Sequence, residues 1–313
     1  MNRREFLTFT SVASLAVLSR GGAEGPGPLV DPHFHIWDLD RFRLPWLDNA
    51  GPVLKKTFTL DDYRAAVEGL GVEKSVYVEV SVKPEQREDE ARYAAGLCND
   101  QGKPTSAVVV GGAPGTEGFE TYIRKLTENP AVHGLRASVA RGLARDEKLV
   151  RDVRLLGKLG LSFDLLWDGQ NLAEASQLAA AAPDTRFILD HCGNASTNWF
   201  ARGADPKAAD RWKQGIDLLA RQPNVTCKIS GVAENGPPEG ATIDRVGLVV
   251  NHCLDHFGDQ RVMFASNWPV CLKSVTIAEW VKMLKTITAP RGREFGAMLF
   301  HDNAARWYRL GRV

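Results

Sequence analysis

The feature that most constrains the fold of this chain is the alternation of eight short apolar runs with longer helical stretches. The runs are apolar on both faces, which is typical of strands in a parallel sheet that helices cover. We therefore predict strands at residues 29–33, 74–80, 105–110, 132–137, 161–166, 186–190, 225–230 and 261–266.

Helical patterns fill the segments between these runs. They cover residues 60–70, 86–98, 119–129, 147–158, 171–181, 208–221, 243–256 and 277–287, followed by 291–300. Asp61 and Asp62 suit the N-terminal dipole of the first helix, and prolines at 130 and 183 end two others. Eight strands alternating with helices in about 285 residues predict a single-domain α/β fold, the (β/α)₈ TIM barrel, over residues 26–313.

A doubly wound open sheet is the alternative arrangement of such elements. That fold usually carries a glycine-rich phosphate loop after its first strand. Here the first run is followed by a His-x-His motif instead. The barrel is therefore the favoured prediction.

The first 25 residues have the composition of an export signal. Arg3 and Arg4 precede Phe6 and Leu7, and a weakly apolar run of about ten residues follows, which is too short to span a bilayer. The paired arginines resemble a twin-arginine signal. We expect a periplasmic protein without membrane association once the signal is removed.

Charge and cysteine content exclude several classes of site. The net charge of +1 gives no indication of nucleic-acid binding. The five cysteines are odd in number and form no CxxC motif, which argues against a Cys₄ zinc site or a disulfide framework. We expect small buried core residues at these positions.

The first predicted strand ends in a candidate metal-binding motif. In an extended segment, residues two apart lie on the same face, so His33 and His35 can both point into the mouth of the barrel. Imidazole nitrogens in that position could bind one divalent metal. Two hydrogen-bonded histidines without metal are the alternative.

Other strand ends carry charged residues that could bind substrate. Glu79 ends the second run, Arg136 the fourth, and Asp164 lies in the fifth. Arg136 could clamp a carboxylate or a lactone oxygen, because guanidinium presents a rigid fork of donors. The alternative for Arg136 is an ion pair with Glu79 or Asp164 at the rim of the barrel.

The last three strands add further candidates. The sixth run ends in Asp190 and His191, where a third metal ligand or a proton-transfer group is expected. Lys228 in the seventh run could polarise a carbonyl or form a structural ion pair. Asn267 follows the eighth run and can hydrogen bond or weakly ligate a metal, but it cannot act as a base.

These motifs together resemble a known family. The segments VDPHFHIWD, RLPWL, FILDHCG, CKISG, MFASNWPV and DNAARWY are similar to the amidohydrolase superfamily, amidohydrolase-2 branch, and within it to sugar-lactone and 2-pyrone-4,6-dicarboxylate hydrolases. The resemblance spans residues 29–310. It implies a distorted TIM barrel that hydrolyses a lactone ring, with Trp46 of the RLPWL segment among the substrate-binding residues.

The resemblance also implies roles for individual residues. The family's HxH falls on His33 and His35, its strand-six histidine on His191, and its eighth-strand aspartate on Asn267. That aspartate usually activates the attacking water, so Asn267 departs from the pattern and leaves the base open. Some family members bind one divalent ion such as zinc or manganese, and others work without metal.

Three functions follow from these residues. The leading prediction is a lactonase acting on a carboxylated lactone, in which a metal on His33, His35 and His191 polarises water and Asn267 orients it. A histidine or Asp164 then takes the proton from the water. The second is decarboxylation of an aromatic or conjugated acid. The third is a catalytically impaired periplasmic binding protein. The sequence leaves open whether the chain acts alone or as a homodimer.

Overall fold

The computed structural model describes residues 27–99, 104–236 and 241–311. All eight predicted strands are present there. They are β1 (Leu29–Phe34), β2 (Val72–Val78), β3 (Thr105–Gly111), β4 (Val132–Ser138), β5 (Ser162–Leu166), β6 (Arg186–Leu189), β7 (Val225–Ile229) and β8 (Val262–Phe264). The predicted signal segment, residues 1–25, lies outside the described residues.

The strands form one parallel sheet whose order follows the chain from β1 to β8. Its two ends meet just beyond β8, where the backbone amide of Asn267 donates to the carbonyl of His33 at 2.9 Å. The amide of His35 donates to the carbonyl of Trp268 at 2.7 Å. The sheet therefore curls into a barrel, and the predicted (β/α)₈ architecture is confirmed.

Helices connect the strands on the outside of this barrel. They are α1 (Leu60–Val67), α2 (Arg87–Leu97), α3 (Phe119–Leu126), α4 (Glu147–Lys158), α5 (Leu172–Ala181), α6 (His191–Asn194), α7 (Pro206–Ala220), α8 (Ile243–Phe257), α9 (Ile277–Thr288), α10 (Arg293–Ala297) and α11 (Asn303–Trp307). Capping boxes begin α1 at Thr59 and α9 at Thr276. None of the described helices is long and apolar enough to cross a membrane.

The C-terminal segment closes the end of the barrel at which the strands begin. Lys74, His133 and Arg186, near the starts of β2, β4 and β6, each bond a backbone carbonyl between Trp307 and Gly311. Ala304, Tyr308 and Leu310 pack with apolar side chains of the barrel interior. With this end closed, the opposite end, where the strands finish, is the one open to a ligand.

All five cysteines are free thiols. Cys192, Cys227, Cys253 and Cys271 are buried, and Cys98 is partly exposed. The first three lie within 4.8 Å of one another through their sulfur atoms. The expectation of small buried core residues therefore holds for four of the five.

Candidate active site

His33 and His35 meet at the open end of the barrel, as the HxH spacing predicts. Their Nε2 atoms lie 3.1 Å apart, and both side chains are buried. The Nδ1 atom of His35 lies 2.7 Å from the carbonyl of Val78 on β2. Because a carbonyl only accepts, Nδ1 carries the proton and the Nε2 lone pair of His35 faces His33.

The other nitrogen of His33 faces a buried ammonium group. Lys228 Nζ lies 2.9 Å from His33 Nδ1 and also donates to Asp164 at 2.7 Å and to Asp190 at 2.9 Å. An ammonium group can only donate hydrogen bonds. It therefore bonds His33 in the tautomer whose Nδ1 accepts and whose Nε2 carries the proton. The Nε2 proton of His33 then bonds His35, which gives a continuous chain that holds both rings in place.

His191 reaches the site through an unusual local backbone. It lies two residues beyond the end of β6 and has a φ of 55°, and the next three residues also have positive φ values. Its Nδ1 lies 2.9 Å from Ser230 Oγ beyond β7. The next residue, Gly231, has a φ of +69°, and a Cβ there would lie 2.4 Å from the Cβ of His191. Only glycine therefore leaves room for this histidine.

The three histidines are held uncharged near neutral pH. Burial is the largest cause of the lowered pKa of His33 and of His35, both of which fall well below the ordinary value. Burial also lowers the pKa of His191 to about 4. A neutral imidazole has a free lone pair, as a metal ligand or a proton acceptor requires.

The donor atoms of this cluster fit one divalent ion when the proton of His33 lies on Nδ1, 3.4 Å from Asp190 Oδ1, and its Nε2 is free. Two nitrogens bound to one tetrahedral ion lie about 3.3 Å apart, close to the 3.1 Å between His33 and His35. Ligand atoms of His33, Asp190 and His191 also lie within 4.8 Å of one another. Asp190 Oδ2 is buried and has no hydrogen-bond partner among the described residues. The predicted ligand trio is His33, His35 and His191, whereas this group contains Asp190 instead of His35.

Arg136 forms the rim ion pair that was the alternative to a substrate clamp. Its Nε donates to Glu79 Oε1 at 2.6 Å, and its Nη2 donates to the Glu79 carbonyl at 2.5 Å. Its Nη1 lies 3.8 Å from the unpartnered oxygen of Asp190. Glu79 thus uses two donor groups of Arg136 and leaves Nη1 for a ligand.

Asp164 and Lys228 lie below the floor of the site. Neither has exposed side-chain surface, and they pair directly with each other. Tyr308 from the closed end donates its hydroxyl to the same oxygen of Asp164. Direct contact of these two residues with substrate stays a prediction. In this structure they lie below the histidines and support them.

Asn267 has a partner that the sequence did not reveal. Its Nδ2 donates to Glu234 Oε1 at 2.7 Å, and both side chains are buried. Glu234 lies in the loop after β7, five residues beyond the end of that strand. Burial raises the pKa of its carboxyl group, which brings the carboxylate closer to the range of an effective base. A lone glutamate in a loop has no local pattern that marks it.

These side chains surround a cavity of about 330 Å³. It is lined by His35, Trp46, Val80, Ser81, Arg136, Leu166, His191, Asn194, Gly231, Glu234, Asn235, Asn267, Val270 and Lys273. A second cavity of about 610 Å³ shares Ser81 and Arg136 with it and has Glu79 on its wall. The structure therefore brings Trp46, Arg136 and Asn267 together with His35 and His191 around a space of small-molecule size.

A family model described as amidohydrolase matches residues 30–310, which is most of the chain. Among curated proteins, the uncharacterised protein y4mH of Sinorhizobium fredii is 29% identical over 90% of this chain and 98% of its own length. An L-fucono-1,5-lactonase of Burkholderia multivorans is 25% identical over 90% of this chain and 96% of its own length.

Solved structures share the same fold. Two crystal structures of an amidohydrolase from Burkholderia multivorans, one with bound HEPES and one with bound zinc, have TM-scores of 0.80 and 0.79. They are 24% identical to this chain and cover 91% of it and all of their own chain. This similarity supports the barrel described above.

Proposed function

Because this chain belongs to the amidohydrolase family, we propose that it is a hydrolase that opens the lactone ring of a sugar acid or a dicarboxylate. The observation that carries the proposal is the Glu234–Asn267 pair, which places a buried carboxylate in one cavity with Arg136 and two histidines. Lactonases among the curated relatives of similar length support the same reaction.

Glu234 is the base of this proposal. Its Oε1 accepts the Asn267 amide hydrogen, which fixes the orientation of the carboxylate. The carboxylate takes a proton from water as the water oxygen bonds to the lactone carbonyl carbon. The bond between that carbon and the ring oxygen then breaks, and the ring oxygen leaves as a hydroxyl by accepting the proton that Glu234 took from water. The products are an acid and an alcohol in one open chain.

Arg136 binds the acidic part of the substrate or the carbonyl oxygen. Its Nη1 is free of hydrogen bonds to the described residues, while Glu79 holds the rest of the guanidinium in place. Negative charge develops on the carbonyl oxygen as water adds, and a fixed guanidinium stabilises such charge in a buried site. Trp46, whose Nε1 donates to the Val80 carbonyl at 2.7 Å, forms one wall of the cavity.

His33, His35 and His191 are the residues that would hold one divalent ion in this proposal. Such an ion supplies Lewis-acid polarisation of water or of the carbonyl. Zinc bound in the Burkholderia multivorans relative supports this assignment. Asn267 is neutral and already bonded to Glu234, so it orients groups in the cavity without adding charge.

The test is hydrolysis of a panel of sugar and muconate-type lactones by the purified protein, with and without zinc or manganese. Ring opening that is lost in Glu234→Gln and kept in the exposed control Glu68→Gln is the expected result. Release of carbon dioxide from a conjugated acid without ring opening would identify a decarboxylase. Tight binding of carboxylated ligands with no turnover, and turnover gained in Asn267→Asp, would identify an impaired binding protein.

We also propose export to the periplasm by the twin-arginine route. The support is the Arg3-Arg4 pair with the short apolar run that follows it. The test is cell fractionation of the full chain beside an Arg3→Lys/Arg4→Lys variant. The native protein is expected in the periplasmic fraction and the variant in the cytoplasmic fraction. The same distribution of native protein and variant between the two fractions would contradict the proposal.

A further inference from the structure

A second cluster of potential metal ligands lies outside the candidate active site. His252 and His256 are four residues apart on α8, and Asp217 lies in the last turn of α7. Residues four apart on a helix are neighbours on one face. Ligand atoms of these three residues all lie within 4.8 Å of one another, and the side chains of His252, His256 and Asp217 are 16%, 38% and 36% exposed. An ion from solvent can therefore reach them.

The contacts within this cluster are unlike those of an ordinary ion pair. Asp217 Oδ1 lies 3.0 Å from His252 Nε2 and 3.1 Å from His256 Nε2. The same oxygen is buried and has no hydrogen-bond partner by geometric criteria among the described residues. His252 Nε2 also lies 3.4 Å from the Lys213 carbonyl, a long contact that an ion would replace. Two nitrogens and one oxygen thus lie close enough together to bind one common ion.

The second nitrogen of His256 determines what its Nε2 can do. His256 Nδ1 lies 2.8 Å from the backbone carbonyl of His252, so Nδ1 carries a proton and donates it. In a neutral ring, Nε2 then carries a lone pair and has no proton to donate to the Asp217 carboxylate. Two acceptor atoms 3.1 Å apart with no hydrogen between them repel each other, and a cation bound by both removes that repulsion. A histidine that donates its other N–H to a carbonyl is also the usual arrangement of a metal ligand.

We propose that Asp217, His252 and His256 form a second divalent-metal site, of the zinc class, that links α7 to α8. Ligand atoms on a tetrahedral zinc ion lie about 3.3 Å apart, close to the 3.0 and 3.1 Å observed. Two imidazoles and one carboxylate suit zinc, and the exposed side leaves room for water as a fourth ligand. The site shares no residue with the histidine cluster in the barrel.

The proposal is tested by zinc content after equilibrium dialysis of the full chain, compared between native protein and His256→Gln. The variant is expected to hold one equivalent less, and its affinity at this site to fall more than tenfold. His301→Gln is the matched control, because His301 is a partly exposed histidine beside Asp302 that belongs to no three-ligand cluster among the described residues. The control is expected to bind as the native protein does.

Thermal unfolding with and without zinc is the second measurement, because an ion that binds only the folded state raises the melting temperature. Zinc is expected to raise it less in His256→Gln and in Asp217→Asn than in the native protein. Anomalous scattering at the zinc edge is expected to place an ion between α7 and α8. Equal zinc content and equal thermal shifts in native protein and both variants would overturn the proposal.

Discussion

Asn267 donates its side-chain amide to Glu234 across 2.7 Å at the open end of the barrel. The eighth strand therefore contributes a neutral residue, and the loop after the seventh strand contributes the carboxylate. A carboxylate at Asn267 would place two like charges against each other, which raises the pKa of one of them. The amide avoids that repulsion and leaves Glu234 as the carboxylate of the cavity.

Glu234→Gln is expected to lower kcat by about 100-fold or more, because general bases typically contribute that much. Glutamine keeps the size of the side chain but cannot accept a proton. The measurement is steady-state kinetics on the lactone that the native protein opens, with circular dichroism to confirm folding. An unchanged kcat would remove Glu234 from the mechanism.

The pH dependence of kcat/KM is expected to show an acid limb from Glu234. A base works only when deprotonated, so the rate falls as pH drops through its pKa. Burial raises that pKa above the ordinary glutamate value of 4.5, so the limb lies above this pH. The limb should persist in Glu68→Gln. An identical limb in the residual activity of Glu234→Gln would assign it to another group.

Lys228→Met is expected to destabilise the fold by about 3–5 kcal/mol, because it leaves two buried carboxylates without their cation. Lys228 has no exposed side-chain surface and pairs with both Asp164 and Asp190. Urea denaturation measures the free energy of unfolding. The exposed control Lys282→Met should change it by no more than about 0.5 kcal/mol. Equal effects of the two substitutions would contradict a structural role for Lys228.

Gly231→Ala is expected to destabilise the protein by about 1–3 kcal/mol and to lower activity, because the new methyl group would displace His191. Gly203→Ala is the matched control, since Gly203 also has a positive φ but a methyl group there would meet no atom within 4 Å. Strain of the backbone alone should appear in both variants. If the control lost as much activity, the close approach to His191 would not be the cause.

The fold was predictable because each strand is marked locally. β2 and β3, for example, contain the buried apolar runs VYV and VVV between helical patterns, and such runs are typical of a covered parallel sheet. The closure of the barrel at the end where the strands begin was harder to predict from the sequence. Tyr308 follows a short helix, and nothing near it in the sequence indicates that its hydroxyl bonds Asp164 inside the barrel.

The site was predictable where its residues end strands. His33, His35, Arg136 and His191 follow that rule, because parallel strands bring their ends to one edge. The pairing of Arg136 with Glu79, which the sequence left open, depended on the distance between β2 and β4 across the barrel wall. Glu234 was not predicted, since its position depends on how the β7–α8 loop folds back over the cavity.

The sequence by itself determined the barrel, the histidine pair at the end of β1 and the direction in which the site faces, because these depend on local patterns. The patterns are continuous apolar runs that alternate with helical stretches, and the two-residue spacing that puts His33 and His35 on one face. Tertiary structure alone decided which charges meet. Lys228 lies 2.9 Å from His33, which is 195 residues away in the chain, and Glu234 meets Asn267. Such contacts join side chains from separate strands and loops, and their distances are set only when the barrel closes.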